Sequence, residues 1–326
     1  MGVDKGLLDT LNNQLLLLDR ESGADAIAGD VIRAIAATLD MFAGDRSNAA
    51  ILSHLIDLHD VMLDMRPRMA NVISDIQLMI VELKRREMDP NALRERLPRL
   101  LEWKEERKRR AAARVAAIIE PDKPVLLHSY SGTIDTALQI AVERGEKPVV
   151  FVAEQEQVRT ARIVRSLSDL SLEFRVISEY ALSHVLGEIG IALFSALTLN
   201  ADEELIVAPG SANLINLLGA ADVPTYVVLT TNKWSYWTDD ASTTWHEIRK
   251  KSIAGVGVSK DIFSHDWVGL DRVTALVTED GVLPPSEARK AYAASRADFA
   301  EVEREIKQLR TARAASMAQV RLPDPG

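Results

Sequence analysis

His128, Ser129, Tyr130, Ser131, Gly132 and Thr133 form a run of small and polar residues between Val125-Leu126-Leu127 and the apolar-periodic stretch Ile134 to Val142. Three bulky apolar residues read as a buried strand, and Ile134, Leu138 and Ala141 share one face of a helix. The polar run is then the turn between them. In a parallel sheet such a junction directs free backbone N–H groups and the positive end of a helix dipole into the crevice at the strand's carboxyl end, which suits a phosphate. Ser131, Gly132 and Thr133 would form its cradle. The same residues also read as an ordinary strand-to-helix connection with a Ser or Thr cap, and both readings stand. His128 would either orient a ligand or bond backbone beside the loop.

Glu154, at the end of the expected strand Val149 to Ala153, and Lys233 are the other ionisable residues where chemistry could reside. In a dry pocket either could serve as a general acid or base, and either could instead hold loops together in an ion pair. Cysteine is absent, which removes disulfides, thiolate metal sites and a thiol nucleophile at once. The six histidines show no zinc-like spacing, so neither metal nor cofactor is expected. Gly255-Val256-Gly257-Val258-Ser259-Lys260 lacks the spacing of a phosphate loop and reads as a plain loop. Lys104 to Arg110, with Glu105 and Glu106 interspersed, reads as a solvated helix face rather than a basic patch.

The elements that must position these residues divide in two. Up to about residue 120 the apolar spacing is helical: Leu7 to about Asp19, then Ile27, Val31, Ile35, Leu39 and Phe42, then about Ser47 to Met65 with a stop at Arg66-Pro67. The pattern resumes through Val72, Ile76, Met79, Ile80 and Leu83, and Asp89-Pro90-Asn91 opens a helix reaching about Glu120. Pro121-Asp122-Lys123-Pro124 breaks that texture, and strand and helix patterns alternate beyond it. A helical domain over 1–120 and a doubly wound parallel-sheet domain over 121–326 are the expected organisation, an α/β protein. Tyr180 to Glu188 reads as a helix and Val273 to Thr278 as a final strand. The last helix, opened near Ser286, carries Tyr292, Phe299, Val302, Ile306 and Leu309 on one stripe for docking on a partner or on the body of the protein. Trp234-Ser235-Tyr236-Trp237 is dense in aromatics and reads as a binding platform, a packed lid or a protein contact.

With 326 residues, 47% hydrophobic and 27% charged, the chain has the composition of a globular protein with a sizeable core. A net charge of −9 argues against a surface built to neutralise nucleic-acid phosphates. Met1 to Lys5 carries no basic region followed by an apolar core, and no run reaches the roughly 18 apolar residues of a membrane span. A cytoplasmic location, with neither membrane nor direct nucleic-acid contact, is the expectation.

Several of these segments, in this order, resemble the alpha, beta and delta regulatory subunits of translation initiation factor 2B and the related isomerases of methylthioribose 1-phosphate and ribose 1,5-bisphosphate. They are Arg66-Pro67, Leu126 to Ser131, Val152-Ala153-Glu154, Pro224-Thr225-Tyr226-Val227, Lys233 and, most specifically, Leu276 to Ser286. The resemblance implies a helical N-terminal domain, a Rossmann-like C-terminal domain, a homodimer, and a phosphorylated sugar or nucleotide bound between the domains. It also implies a phosphate segment at Val207-Ala208-Pro209-Gly210-Ser211, where Gly210 and Ser211 keep the family's glycine and hydroxyl but its amide and cation are lost. The isomerases use a cysteine and an aspartate; Ser129 stands at the first position here and, by gapless alignment from Pro224 back to Phe194, Leu197 at the second. An arginine of the family falls on Glu156, leaving Lys233, Arg159 or Arg249-Lys250-Lys251 to compensate. Leucine cannot exchange a proton, and a serine without an adjacent base is a poor shuttle, so the family's isomerisation is expected to be absent. The expected function is a non-catalytic regulator binding a phosphorylated metabolite. The alternatives are an enzyme rebuilt around His128, Ser129, Tyr130, Glu154 or Lys233, and a subunit acting in guanine-nucleotide exchange through protein contacts.

Overall fold

A computed structural model describes residues 24–41, 48–65, 68–85, 90–155, 157–236 and 246–320. The expected helix at Leu7 to Asp19, the Arg66-Pro67 stop, Asp89, Glu156 and Trp237 lie outside the described residues. Helices α1 (Ala24–Met41), α2 (Asn48–Asp64), α3 (Ala70–Arg85) and α4 (Pro90–Ile118) form the N-terminal layer. Helix α3 is its centre: Val72, Ile73, Ile76, Met79, Ile80 and Leu83 are buried, and so are Asn71, Asp75 and Gln77. A helix buried on nearly every side must find partners for its polar groups within the protein, which sets up the contacts described below.

The second layer is a sheet. Its strands β1 (Val125–Leu127), β2 (Val150–Glu154), β3 (Phe174–Ser178), β4 (Ile191–Leu199), β6 (Thr225–Val228) and β10 (Ala275–Val277) are parallel, in the spatial order β3-β2-β1-β4-β6-β10. The short β11 (Val282–Leu283) closes one edge antiparallel to β10. Strand order reverses between β1 and β4, the switch point of doubly wound sheets, where carboxyl ends diverge and leave a crevice. Helices α5 (Gly132–Glu143), α6 (Gln157–Asp169) and α7 (Ser211–Ala220) follow β1, β2 and β5 (Glu204–Val207). Strands β1, β2, β4 and β6 are almost wholly buried, as expected where both faces are covered.

Strand β4 does two things. Ile191 to Ser195 lies inside the parallel sheet, and Ala196 to Leu199 pairs antiparallel with β5, which in turn pairs with β9 (Asp266–Gly269). The pairing register shifts between Ala196 and Thr198, so Leu197 sits in a bulge at the mouth of the crevice.

Two expectations are corrected. Tyr180 to Glu188 is a pair of 3-10 turns, Glu179–His184 and Leu186–Glu188. Gly255 to Lys260 belongs to a hairpin of β7 (His246–Ile253) and β8 (Val256–Phe263), turned at Ala254 and Gly255 with φ of 51° and 81°. Positive φ at both turn residues matches the twist of the flanking strands.

Helix α8 (Pro285–Val320) crosses both layers: Ala288 and Tyr292 join the sheet's core, and Ile306 joins the core of the N-terminal helices. Trp234 is buried, and the Tyr236 ring lies 4.9 Å from Tyr292 and 4.5 Å from Phe299. These aromatics pack between the sheet and α8. Among the described residues, no helix is long and apolar enough to cross a membrane.

Candidate functional site

A cavity of about 600 Å³ opens where the N-terminal helices meet the carboxyl ends of β1, β4 and β6. Ser129, Tyr130, Ser131 and Gly132 line it from the loop after β1, and Ser195, Ala196 and Leu197 from the β4 bulge. Thr230, Asn232 and Lys233 line it from the segment after β6, a short 3-10 turn at Thr231–Lys233. Leu197, at the position where the aspartate was expected to be lost, also packs on the apolar core of the N-terminal helices.

The remaining candidates are placed elsewhere. Thr133 is buried in the first turn of α5. Glu154 accepts a hydrogen bond from Ser178 Oγ at 2.7 Å and is not among the lining residues. His128, fully buried, has Nε2 2.6 Å from Glu179 Oε1 and Nδ1 3.0 Å from Ser211 Oγ. A carboxylate only accepts, so Nε2 donates to Glu179, and Nδ1 is paired with the Ser211 hydroxyl. His128 and Ser211 thus tie β1 to the start of α7 and lie outside the cavity lining. Gly210, at φ +91°, donates its backbone N–H to Asp266 Oδ2 at 2.8 Å, and Ala212 N donates to the same oxygen at 3.1 Å. The amino end of α7 is therefore already capped by a carboxylate of the protein itself.

The start of α5 is different. Ser131 caps it, accepting from Ile134 N at 3.5 Å, and a Cβ added at Gly132 would lie 3.9 Å from the Lys108 ammonium. A cation held at the positive end of a helix is electrostatically unfavourable on its own, and an anion between them relieves both. Arg159 and Arg162 of α6 line the same end, with the Arg162 guanidinium 3.5 Å above the Tyr130 ring.

Helix α4 supplies Lys104, Arg107 and Lys108 to the lining, which corrects the reading of Lys104 to Arg110 as a solvated face. Arg109 and Glu106 do face solvent, paired with each other. Leu97, Leu101, Lys104, Lys108, Ala111 and Val115 recur at intervals of three or four, so the cations continue the buried stripe of their own helix. That continuity was the signal available in the sequence. Of the compensating cations considered, Lys233 and Arg159 line the cavity, and Arg249-Lys250-Lys251 stand on the hairpin, away from it.

Carboxylates fix several of these cations. Asp25, from the first turn of α1, accepts from Lys233 Nζ at 2.9 Å and from Asn71 Nδ2 at 3.2 Å. Burial pushes the Asp25 carboxyl up, yet the charge and hydrogen bond of Lys233, with the charges of Lys104 and Lys108, together outweigh it and hold the group below the ordinary carboxylate range. Lys104 pairs with Asp75, whose carboxyl burial raises despite that partner. Arg107 pairs with the fully buried Glu279, which also accepts from Thr231 N at 3.0 Å and Thr231 Oγ at 2.7 Å. Asp25, Arg107 and Glu279 were not among the residues singled out from the sequence.

The fold and cavity together define a doubly wound α/β protein with a cation-lined crevice at the switch point. Residues 20–285 match the Initiation factor 2 subunit family, and the chain belongs to it. It is 24% identical to the putative translation initiation factor eIF-2B subunit 2-like protein of Pyrococcus abyssi over 71% of this chain and 82% of that one. It is 23% identical to the ribose 1,5-bisphosphate isomerase of Archaeoglobus fulgidus, over 80% of this chain and 86% of that one. The crystal structure of the Pyrococcus horikoshii translation initiation factor eIF-2B superposes with a TM-score of 0.71 at 20% identity, covering 87% of this chain and 98% of that one.

Proposed function

We propose that this chain binds a phosphorylated sugar or nucleotide in the cavity between its helices and its sheet, and acts as a regulator that does not isomerise what it binds. The observation that carries this reading is the composition of the cavity wall: Arg and Lys side chains from α1, α4, α6 and the turn after β6 face a loop holding Ser129 and a bulge holding Leu197. The cations suit a phosphate. The two reactive positions offer a hydroxyl and an alkyl group, neither of which passes a proton between sugar carbons near neutral pH. The relationship to an isomerase of ribose 1,5-bisphosphate is a reason to try sugar phosphates first. A cytoplasmic homodimer is the form we propose for the working protein.

Thermal denaturation across sugar phosphates and nucleotides tests the binding. A ligand held only by the folded chain at about a hundred times its Kd adds about 2.7 kcal/mol and raises Tm. Incubation with methylthioribose 1-phosphate and ribose 1,5-bisphosphate, followed by product analysis, tests the chemistry. Unchanged melting with every ligand sinks the binding reading, and turnover above the uncatalysed rate sinks the non-catalytic one.

A further inference from the structure

We infer that the β7–β8 hairpin docks on a second copy of this chain, on the acidic surface around Tyr180 at the β3 edge of the sheet, and that two copies exchange hairpins about a two-fold axis. This rests on the homodimer reading above and adds the surface through which the dimer forms.

Among the described residues, β7 and β8 pair only with each other. Two paired strands are at best marginally stable in water unless something packs on them. Here the apolar side chains face outward: Ile248 and Phe263 lie on one face near the base, Ile253 and Val256 pair at the tip, and all four are exposed. Lys250, Lys251 and Lys260 are exposed between base and tip. The hairpin is thus an apolar surface set among cations, on a chain whose net charge is −9.

That combination selects the occupant. An anionic membrane attracts the lysines but repels the rest of an acidic chain, whereas an acidic surface on a second copy matches them. Such a surface stands at the β3 edge. Strand β3 pairs only with β2, among the described residues, so its other side is an open edge. Val176 on it is exposed, and Tyr180 just beyond is 90% exposed. Residues 169–188 carry Asp169, Glu173, Glu179 and Glu188, with Arg175 as their one Lys or Arg. Arg175 is itself paired with Glu188, which leaves the surface acidic. An exposed aromatic among carboxylates complements an apolar hairpin among lysines.

The two surfaces are neighbours within one copy. Asp266, three residues past Phe263, accepts from Gly210 N at 2.8 Å, and a Cβ added at Gly210 would stand 3.0 Å from Glu179 Oε1, next to Tyr180. Surfaces that flank one point on the molecule can both lie at a two-fold axis, where each copy's hairpin meets the other's acidic patch and the contact, made twice, closes the pair.

Sedimentation equilibrium of the full chain, of Ile248→Asp and of Tyr180→Asp tests this; both positions are exposed, so the variants should fold, and circular dichroism checks that they do. The native chain should be dimeric, and each variant should raise the dimer dissociation constant at least about tenfold. The chain has no cysteine, so mixing Ile248→Cys copies with Tyr180→Cys copies and adding a short bismaleimide should give a covalent dimer holding one of each. A monomeric native chain removes the homodimer reading and this inference together, and its sedimentation with phosphatidylserine vesicles would assign the hairpin to a membrane instead. A native dimer that survives either aspartate substitution in a folded variant, or that gives no mixed crosslink, overturns the inference and leaves the homodimer reading intact.

Discussion

The guanidinium of Arg310, near the end of the last helix, donates to Nδ1 of the buried His59 on α2 at 2.8 Å. Arginine only donates, so His59 accepts at Nδ1 and carries its proton on Nε2, 3.0 Å from the Gln77 side-chain amide, which meets that proton when turned to present its otherwise unpartnered oxygen. Asp60 completes the group through an ion pair with Arg310.

This contact makes stability depend on pH. Burial, then the Arg310 charge, lower the His59 pKa to about 4. The unfolded chain, with a pKa near 6.5, takes the proton more readily, so the native state is favoured fully above about pH 6.5 and loses that advantage as pH falls toward 4. The total loss is about 3 kcal/mol. Urea denaturation at intervals between pH 7 and 4 should show it, with a flatter profile for His59→Gln. Parallel profiles for the two proteins would exclude His59 as the source.

Glu279 should be among the residues least tolerant of truncation. Removing its carboxylate leaves the Arg107 charge and the Thr231 backbone N–H in the protein without their acceptor. Breaking one side of a buried pair costs about 3–5 kcal/mol, so Glu279→Ala should lower the urea midpoint sharply. Glu279→Gln, which keeps an acceptor for Thr231, should lower it less. Equal midpoints for the two variants would mean the charge of Arg107 is compensated elsewhere.

Gly210 occupies a backbone region that side chains enter at a cost, and an added Cβ would stand 3.0 Å from Glu179 Oε1 and 3.2 Å from His128 Nε2. Gly210→Ala should therefore both strain the turn and push Glu179 from His128, destabilising the chain by about 1–3 kcal/mol. Thermal denaturation measures the cost. A melting temperature within a degree of the native value would show that the loop relaxes freely.

Asp266 should act as the cap of α7. Asp266→Ala removes the acceptor of both Gly210 N and Ala212 N, and a loss of about 1–2 kcal/mol is expected. Asp266→Asn, which retains an acceptor, should recover most of it in the same urea titration.

The parallel-sheet layer was readable because its strands are short apolar runs followed by small polar residues, and Val125-Leu126-Leu127 before His128 is the plainest case. Ser129 to Gly132 were legible as cavity residues for the same reason. His128 was not resolvable as ligand or scaffold, since Glu179 and Ser211, which occupy its two nitrogens, are remote in sequence. Asp25 and Lys233 are separated by 208 positions, and no local pattern announces such a contact. Arg107 was misjudged because a charged helix segment is usually solvated, and the opposing Glu279 lies beyond the reach of helical periodicity. The hairpin was missed for a simpler reason: Ile248, Ile253, Val256 and Phe263 are exposed on it, so its apolar residues follow no burial pattern that a sequence could display.

Helix α8 gives the chain a particular order of assembly. Ile306 fills a place among the N-terminal helices, and Arg310 reaches His59 across 251 positions of sequence. During synthesis those first helices emerge early and cannot complete their own interior until α8 has left the ribosome. Ribosome-bound chains stopped before Pro285 should therefore be cut by protease within α1 to α4, and chains extended past Arg310 should resist.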